Sequence, residues 1–297
     1  MKKKTLALSL CLTLCLTTIG CKSTNSKTTN YLNKNISSNN IKNKITDSSK
    51  ERSIENSTDV KETVSKSNNK NYETKERDWF FAPEVPTDIQ GLIKNHSAYY
   101  LGDTSKKVIY LTFDEGYENG YTPKILDILK DNKVKAAFFV VVPYINSNKD
   151  LIKRMSEEGH LVCNHSNHHP SMAKTALKGK DAFNKELLDT EKAYEDATGK
   201  KMPKFFRPPM GKYSELSLEY TKQLGYKTIF WSFAYHDWDI NKQPSHDFAK
   251  KKIINKAHNG GIFLLHAVSK TNTEILDSVI KELKAEGYRF GTLDELK

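Results

Sequence analysis

The sequence predicts an α/β fold: a distorted or incomplete (β/α) barrel of about seven parallel strands, preceded by a disordered tether. Two observations lead there. From residue 78 onward, short apolar runs rich in β-branched and aromatic residues alternate with longer amphipathic stretches, as strands do when helical crossovers join them. Reactive side chains also recur where those apolar runs end, which is the carboxyl edge of a parallel sheet. A doubly wound open sheet satisfies the same alternation and is the second architecture to consider.

The amino terminus narrows the partners. The 297-residue chain carries a formal charge of +11, which favours a polyanionic neighbour such as nucleic acid, an anionic membrane or an acidic wall polymer. Lys2, Lys3 and Lys4 precede an uncharged apolar run over 6–19, too short to span a bilayer comfortably, and the pair reads as a secretory signal. The run ends in Thr18-Ile19-Gly20-Cys21, which resembles the lipobox of bacterial lipoproteins, with simple cleavage and release as the alternative. Residues 1–21 are therefore expected to direct the protein out of the cytoplasm, to a membrane surface through a lipid anchor, and nucleic acid is excluded as a partner.

Residues 22–77 are dominated by Asn, Ser, Thr and Lys, without a periodic apolar face. Such a segment cannot bury enough apolar surface to offset chain entropy, and it is expected to be a linker to a folded domain over 78–297. Beyond Cys21 the only cysteine is Cys163, so no disulfide is available within that domain; Cys163 reads as a small buried residue on a strand.

Along the domain, strands are expected over 108–113, 136–142, 160–164, 205–206, 228–233, 262–266 and 289–293. Helices are expected over 123–132, 151–158, 182–197, 215–224, 248–257 and 274–285. Thr122-Pro123 reads as an N-cap followed by proline at the first helical position, and residues 271–274 spell a capping box. Gly159, Gly225 and Gly287 are placed to stop helices before the next strand.

The ends of these strands carry the chemistry. Asp114 and Glu115 follow the first apolar run, where carboxylates would otherwise be out of place. His165, His168 and His169 follow the third; His165 and His169 would share a face if a helical turn starts there, whereas Pro170 favours a loop. Imidazoles together with a carboxylate suit a divalent ion, zinc by default. Arg207 opens a proline-stiffened segment that can hold a guanidinium against a carboxylate. Asp237 and Trp238 follow the next strand, and His266 ends the one after.

Taken in order, Thr112 to Gly116, His165 to His169, Arg207 to Gly211, Asp237-Trp238 and Leu264 to His266 resemble the motifs of the polysaccharide deacetylase family, carbohydrate esterase family 4, with its NodB homology domain. Residues 95–104 and 116–122 resemble the branch that deacetylates muramic acid in spore-cortex peptidoglycan on the way to muramic δ-lactam. The resemblance implies a metal-dependent N-deacetylase acting on peptidoglycan strands. It assigns Asp114 as general base, His165 and His169 as metal ligands, Arg207 as the group that orients Asp114, and His266 as the acid for the leaving amine. Asp237 would tune His266 or pair with Arg207, and Trp238 and Trp231 would stack on sugar faces. Glu115 departs from the family's usual second Asp, which is the third metal ligand, and would need a different rotation to reach the same point. An N-acetylglucosamine or chitin-type deacetylase, or a wall-binding protein that has lost catalysis, are the other readings.

Overall fold

The structure is a computed structural model that describes residues 71–80 and 83–297. The signal-like run, Cys21 and the linker up to residue 70 lie outside the described residues. In chain order the elements begin with β1 (Arg77–Asp78), α1 (Thr87–Asn95), β2 (Ala98–Tyr99), β3 (Val108–Glu115), α2 (Thr122–Asp131), β4 (Ala137–Val140), α3 (Val142–Ser147), α4 (Lys149–Glu157) and β5 (Leu161–Asn164). They continue with α5 (Met172–Ala176), α6 (Lys180–Thr198), β6 (Phe205–Phe206), β7 (Lys212–Tyr213), α7 (Glu215–Gln223), β8 (Lys227–Ile229), α8 (His246–Ile254), β9 (Gly261–His266), α9 (Lys270–Ala285) and β10 (Arg289–Gly291).

The main sheet runs β10-β3-β4-β5-β6-β8-β2, with β9 also paired to β3, and every strand pairing within it is parallel. After β8 the chain returns to β9 through a parallel bridge between Phe233 and Phe263, with Leu264 N–H donating to the Phe233 carbonyl at 2.9 Å. The strands therefore curl round upon themselves as the expected distorted barrel, and the open doubly wound sheet is set aside.

Strand β3 is the axis of this arrangement, buried along its whole length. Its pleat sends Ile109, Leu111 and Phe113 outward against α2, α4 and α9, where they join Ile125, Leu129, Ile152 and Val279. Val108 and Tyr110 turn inward, among Phe139, Cys163, Ile229 and Ile262. Cys163 is buried and free, as a small core residue.

Local signals held in part. Gly159, Gly225 and Gly287 adopt positive φ of 79°, 80° and 88° at the ends of α4, α7 and α9. The expected caps moved. Tyr121 is the residue before α2, and the Thr122 hydroxyl accepts from the Tyr144 hydroxyl at 3.3 Å instead. At α9 the cap is Ser269, whose Oγ accepts from Asn272 N–H at 3.1 Å. Residues 271–274 thus lie inside the helix, which starts earlier because a serine outside that pattern satisfies its first amides.

The folded domain also starts earlier than residue 78. Glu73 N–H donates to Glu215 Oε2 at 2.9 Å, and Leu216 N–H donates to the Glu73 carbonyl at 3.1 Å. The Ser171 hydroxyl donates to Glu76, and Lys212 pairs with Glu76 at 3.0 Å and Asp78 at 2.8 Å. β1 then pairs antiparallel with β7, and Trp79 stacks on Phe230 with ring centroids 4.3 Å apart. Polar contacts dock this strap up to Trp79, so its composition reads as linker although its backbone is held.

Candidate active site

The carboxyl ends of β3, β5, β6 and β9 open into a cleft of about 710 Å³, lined by Asp114, His165, His169, Trp231, Trp238 and His266 among others. Asp114 and His266 are register partners on adjacent strands. This places a carboxylate and an imidazole side by side at one edge of the sheet.

Asp114 is held by a buried cation. Arg207 is fully buried, and its guanidinium lies 4.1 Å over the Phe139 ring. It donates to Asp114 Oδ1 at 2.6 Å, to Thr112 Oγ1 at 2.9 Å and to the Ile229 carbonyl at 3.1 Å. The expected role of Arg207 in orienting Asp114 has this geometry. Burial pushes the Asp114 carboxyl up, but the charge and hydrogen bond of Arg207, with the imidazole of His266 nearby, outweigh it and hold the group below its ordinary value.

The His165–His169 segment is a loop, with left-handed backbone at Ser166 (φ 70°) and His169 (φ 59°). Loop contacts keep it in shape. Ser166 Oγ accepts from His169 N–H at 3.0 Å, and Glu186 on α6 accepts from the N–H groups of Asn167 (3.0 Å) and His168 (2.9 Å). The His168 ring also turns to Glu186, 3.0 Å away, and so leaves the cleft to its neighbours. His165 and His169 meet edge to face, 4.9 Å between ring centroids.

His165 Nδ1 lies 2.8 Å from the Arg207 carbonyl, which fixes that nitrogen as the donor. Its Nε2 is left with a lone pair, 3.5 Å from Asp114 Oδ2. Burial lowers the His165 pKa to about 4, so it is neutral at physiological pH. A neutral imidazole whose second nitrogen is tied to a carbonyl is what a metal ligand requires, and the histidine pair fits two positions of a divalent-ion shell. Among the described residues, no three His, Cys, Asp or Glu side chains gather closely enough to hold an ion.

Glu115 is why the set stops short, and here the structure corrects the expectation that it joins the histidines. The pleat of β3 continues through residue 115, so Glu115 shares the outward face of Ile109, Leu111 and Phe113 while Asp114 faces the cleft. The Glu115 carboxyl is fully buried, with neither oxygen hydrogen-bonded, beside Glu118, Thr122 and Tyr144. Burial, with the charges of Glu118 and Asp114, pushes its pKa well up. A carboxyl whose folded pKa exceeds its unfolded one holds a proton that unfolding releases, so stability falls as pH rises above the ordinary carboxylate range. Glu115→Gln is expected to melt higher than the parent at pH 8, by about 1–3 kcal/mol in stability, with the gap closing toward pH 5. Equal melting temperatures at pH 8 would contradict this placement.

On the other side of the cleft, His266 and Asp237 form a second pair. His266 Nδ1 lies 2.7 Å from Asp237 Oδ1, and His266 N–H donates to Oδ2 at 2.9 Å; Arg207 is not among its partners. Burial would lower the His266 pKa, but the charge and hydrogen bond of Asp237 raise it above the ordinary value. Trp238 is half-exposed at the rim, stacked on His236 at 4.2 Å and 5.5 Å from His266. Trp231 is more enclosed, its carbonyl accepting from Trp79 Nε1 at 2.8 Å.

Sequence reasoning gave no role to Thr112, Glu186, Asn272 and Tyr235, which support these groups, or to Phe80, Tyr117 and Met210, which line the cleft. Thr112 had a signal: it lies two residues before Asp114, on the same face of β3. Glu186 and Asn272 lie on helices, where nothing local marks which polar residue points inward.

Residues 101–229 match the family described as Polysaccharide deacetylase. The chain is 47% identical over 214 residues to the peptidoglycan-N-acetylmuramic acid deacetylase PdaA of Bacillus subtilis, covering 72% of this chain and 80% of that protein. It is 38% identical over 192 residues to the peptidoglycan-N-acetylglucosamine deacetylase PgdA of Listeria monocytogenes, covering 65% of this chain and 39% of that protein. The solved structure of Bacillus subtilis PdaA, a family 4 carbohydrate esterase, superposes with a TM-score of 0.72 at 44% identity, covering 75% of this chain and 97% of that one.

Proposed function

This chain belongs to the polysaccharide deacetylase family, carbohydrate esterase family 4, and on that premise we propose that it hydrolyses N-acetyl groups from peptidoglycan, with N-acetylmuramic acid as the sugar it acts on. The observation that carries the proposal is the pairing, in register on β3 and β9, of an ionised carboxylate with an imidazole whose proton is held by a buried acid. A binding protein has no use for either.

Amide hydrolysis needs a proton taken from the attacking water and one given to the departing nitrogen. Arg207 occupies Asp114 Oδ1 and leaves Oδ2 to accept the water proton. His266, whose proton affinity the Asp237 carboxylate raises, gives its proton to the amine as the carbon–nitrogen bond breaks, so that acetate and a free amino sugar leave. The rim aromatic Trp238 is suited to an apolar sugar face. His165 and His169 would hold a divalent metal, zinc being suited to imidazole; when bound, such an ion polarises a carbonyl and makes water more acidic. Muramic acid freed of its peptide, the substrate on the way to muramic δ-lactam in spore cortex, is the form the proposal assigns. The lysine-led apolar run ending at Cys21 supports work outside the cytoplasm from a lipid anchor on the membrane surface.

The test is acetate release from peptide-free glycan strands, compared with intact peptidoglycan and chitin oligomers, before and after chelation. Release from glycan strands that chelation abolishes is expected. Release from chitin alone would move the substrate to N-acetylglucosamine, and none from any polymer would overturn the assignment.

A further inference from the structure

Behind the His266–Asp237 pair stands a buried chain of polar groups. Asn272, two per cent exposed on the first turn of α9, donates from Nδ2 to Asp237 Oδ2 at 2.6 Å. Its own carbonyl oxygen accepts from the Tyr235 hydroxyl. The direction of each bond follows from the partners: Asp237 Oδ2 already accepts from the His266 N–H and Oδ1 faces its imidazole, so the amide presents its nitrogen there and its oxygen to the Tyr235 hydroxyl. Burial and the nearby Asp237 charge raise the Tyr235 pKa, so its hydroxyl remains a donor through the working pH range. Asn272 is also fixed in backbone, since its N–H is taken by the Ser269 cap.

We infer that Asn272, backed by Tyr235, is a positioning residue for the leaving-group acid, setting both the pose and the proton affinity of His266 through Asp237. With Asn272 and the His266 N–H both on Oδ2, the carboxylate cannot turn, and Oδ1 stays on the imidazole. The amide N–H places the positive end of a dipole against the carboxylate. It spreads the negative charge that His266 feels and keeps the imidazolium a competent donor rather than an over-stabilised cation. The other charged or titratable groups facing His266 are Asp114, Arg207 and His169, whose partners do not include Asn272. The role rests on the proposed function insofar as it concerns catalysis. The network itself does not.

Two variants separate the outcomes. Asn272→Leu removes the donor at similar size, and Tyr235→Phe removes one hydroxyl. The His266 imidazole is titrated by NMR in each, without substrate, alongside kcat and KM on glycan strands. In Asn272→Leu, His266 is expected to titrate roughly half to one unit higher, with kcat down about tenfold and KM little changed. Tyr235→Phe should move both in the same direction by less. An unmoved His266 titration in folded Tyr235→Phe and Asn272→Leu overturns the inference, as does a change in KM with kcat intact. Should Asn272→Leu fail to fold, Tyr235→Phe alone decides on the same titration. A shifted titration in a protein that releases no acetate from any polymer supports the network and counts only against the proposed substrate.

Discussion

Asp114→Asn is expected to lower kcat by about 10²–10⁴-fold with KM within a few-fold of the parent. The amide is the same size and can still accept a hydrogen bond from Arg207, so the cleft keeps its shape. What it loses is the ability to take a proton. In the parent, Arg207 holds Asp114 ionised by a 2.6 Å contact, and Oδ2 faces His165 rather than another donor of fixed charge. The acid limb of the rate profile accordingly lies below the ordinary carboxylate range, because the Asp114 pKa is lowered. Some loss of stability also accompanies the change, since a buried guanidinium loses its counter-charge. Substrate binding separates the two effects: a folded Asp114→Asn variant that binds glycan strands but does not turn them over has lost the base alone. Parent-like turnover would remove Asp114 from that role.

His266→Gln should cost a similar factor, about 10²–10⁴, and should also erase the alkaline limb. His266 must carry its proton to act, and its pKa is raised by Asp237 against the opposing effect of burial, so the parent rate falls only as pH climbs through a value above that of a free imidazole. Glutamine can fill the space and donate a hydrogen bond, but it cannot release a proton. Measuring kcat from pH 5 to 9 in parent and variant checks this: a limb that persists in the variant belongs to another group.

Much of this site could be read in the sequence because its residues follow strands, and strand ends are marked by apolar runs. Asp114, His165, Arg207 and His266 each sit within a residue or two of such an end, and the parallel sheet brings them together. Glu115 faces away from the histidines for a reason of parity. The apolar run alone suggests a strand ending at residue 113, after which a loop could turn two carboxylates the same way. The pleat runs through residue 115, and adjacent residues on a pleat face opposite sides.

The strap ending at Trp79 was missed for a different reason. Its anchors are Glu73, Glu76 and Asp78, whose partners lie about a hundred residues or more away in sequence, so a local window sees only a polar linker. Asn272 and Tyr235 were hidden likewise, since only the packing of α9 against the segment after β8 joins them. For the His165–His169 segment the sequence allowed both a helical turn and a loop. Two left-handed residues decide for the loop, and Glu186, eighteen residues beyond His168, is what holds it.

The central claim is that the cleft removes acetyl groups from muramic acid. Mass spectrometry of peptide-free glycan strands, digested to disaccharides after incubation with the purified protein, tests it most directly. Loss of one acetyl mass from the muramic acid residue, in the parent and not in Asp114→Asn, is the predicted result. Fully acetylated muramic acid alongside deacetylated N-acetylglucosamine, or no mass change at all, would contradict it.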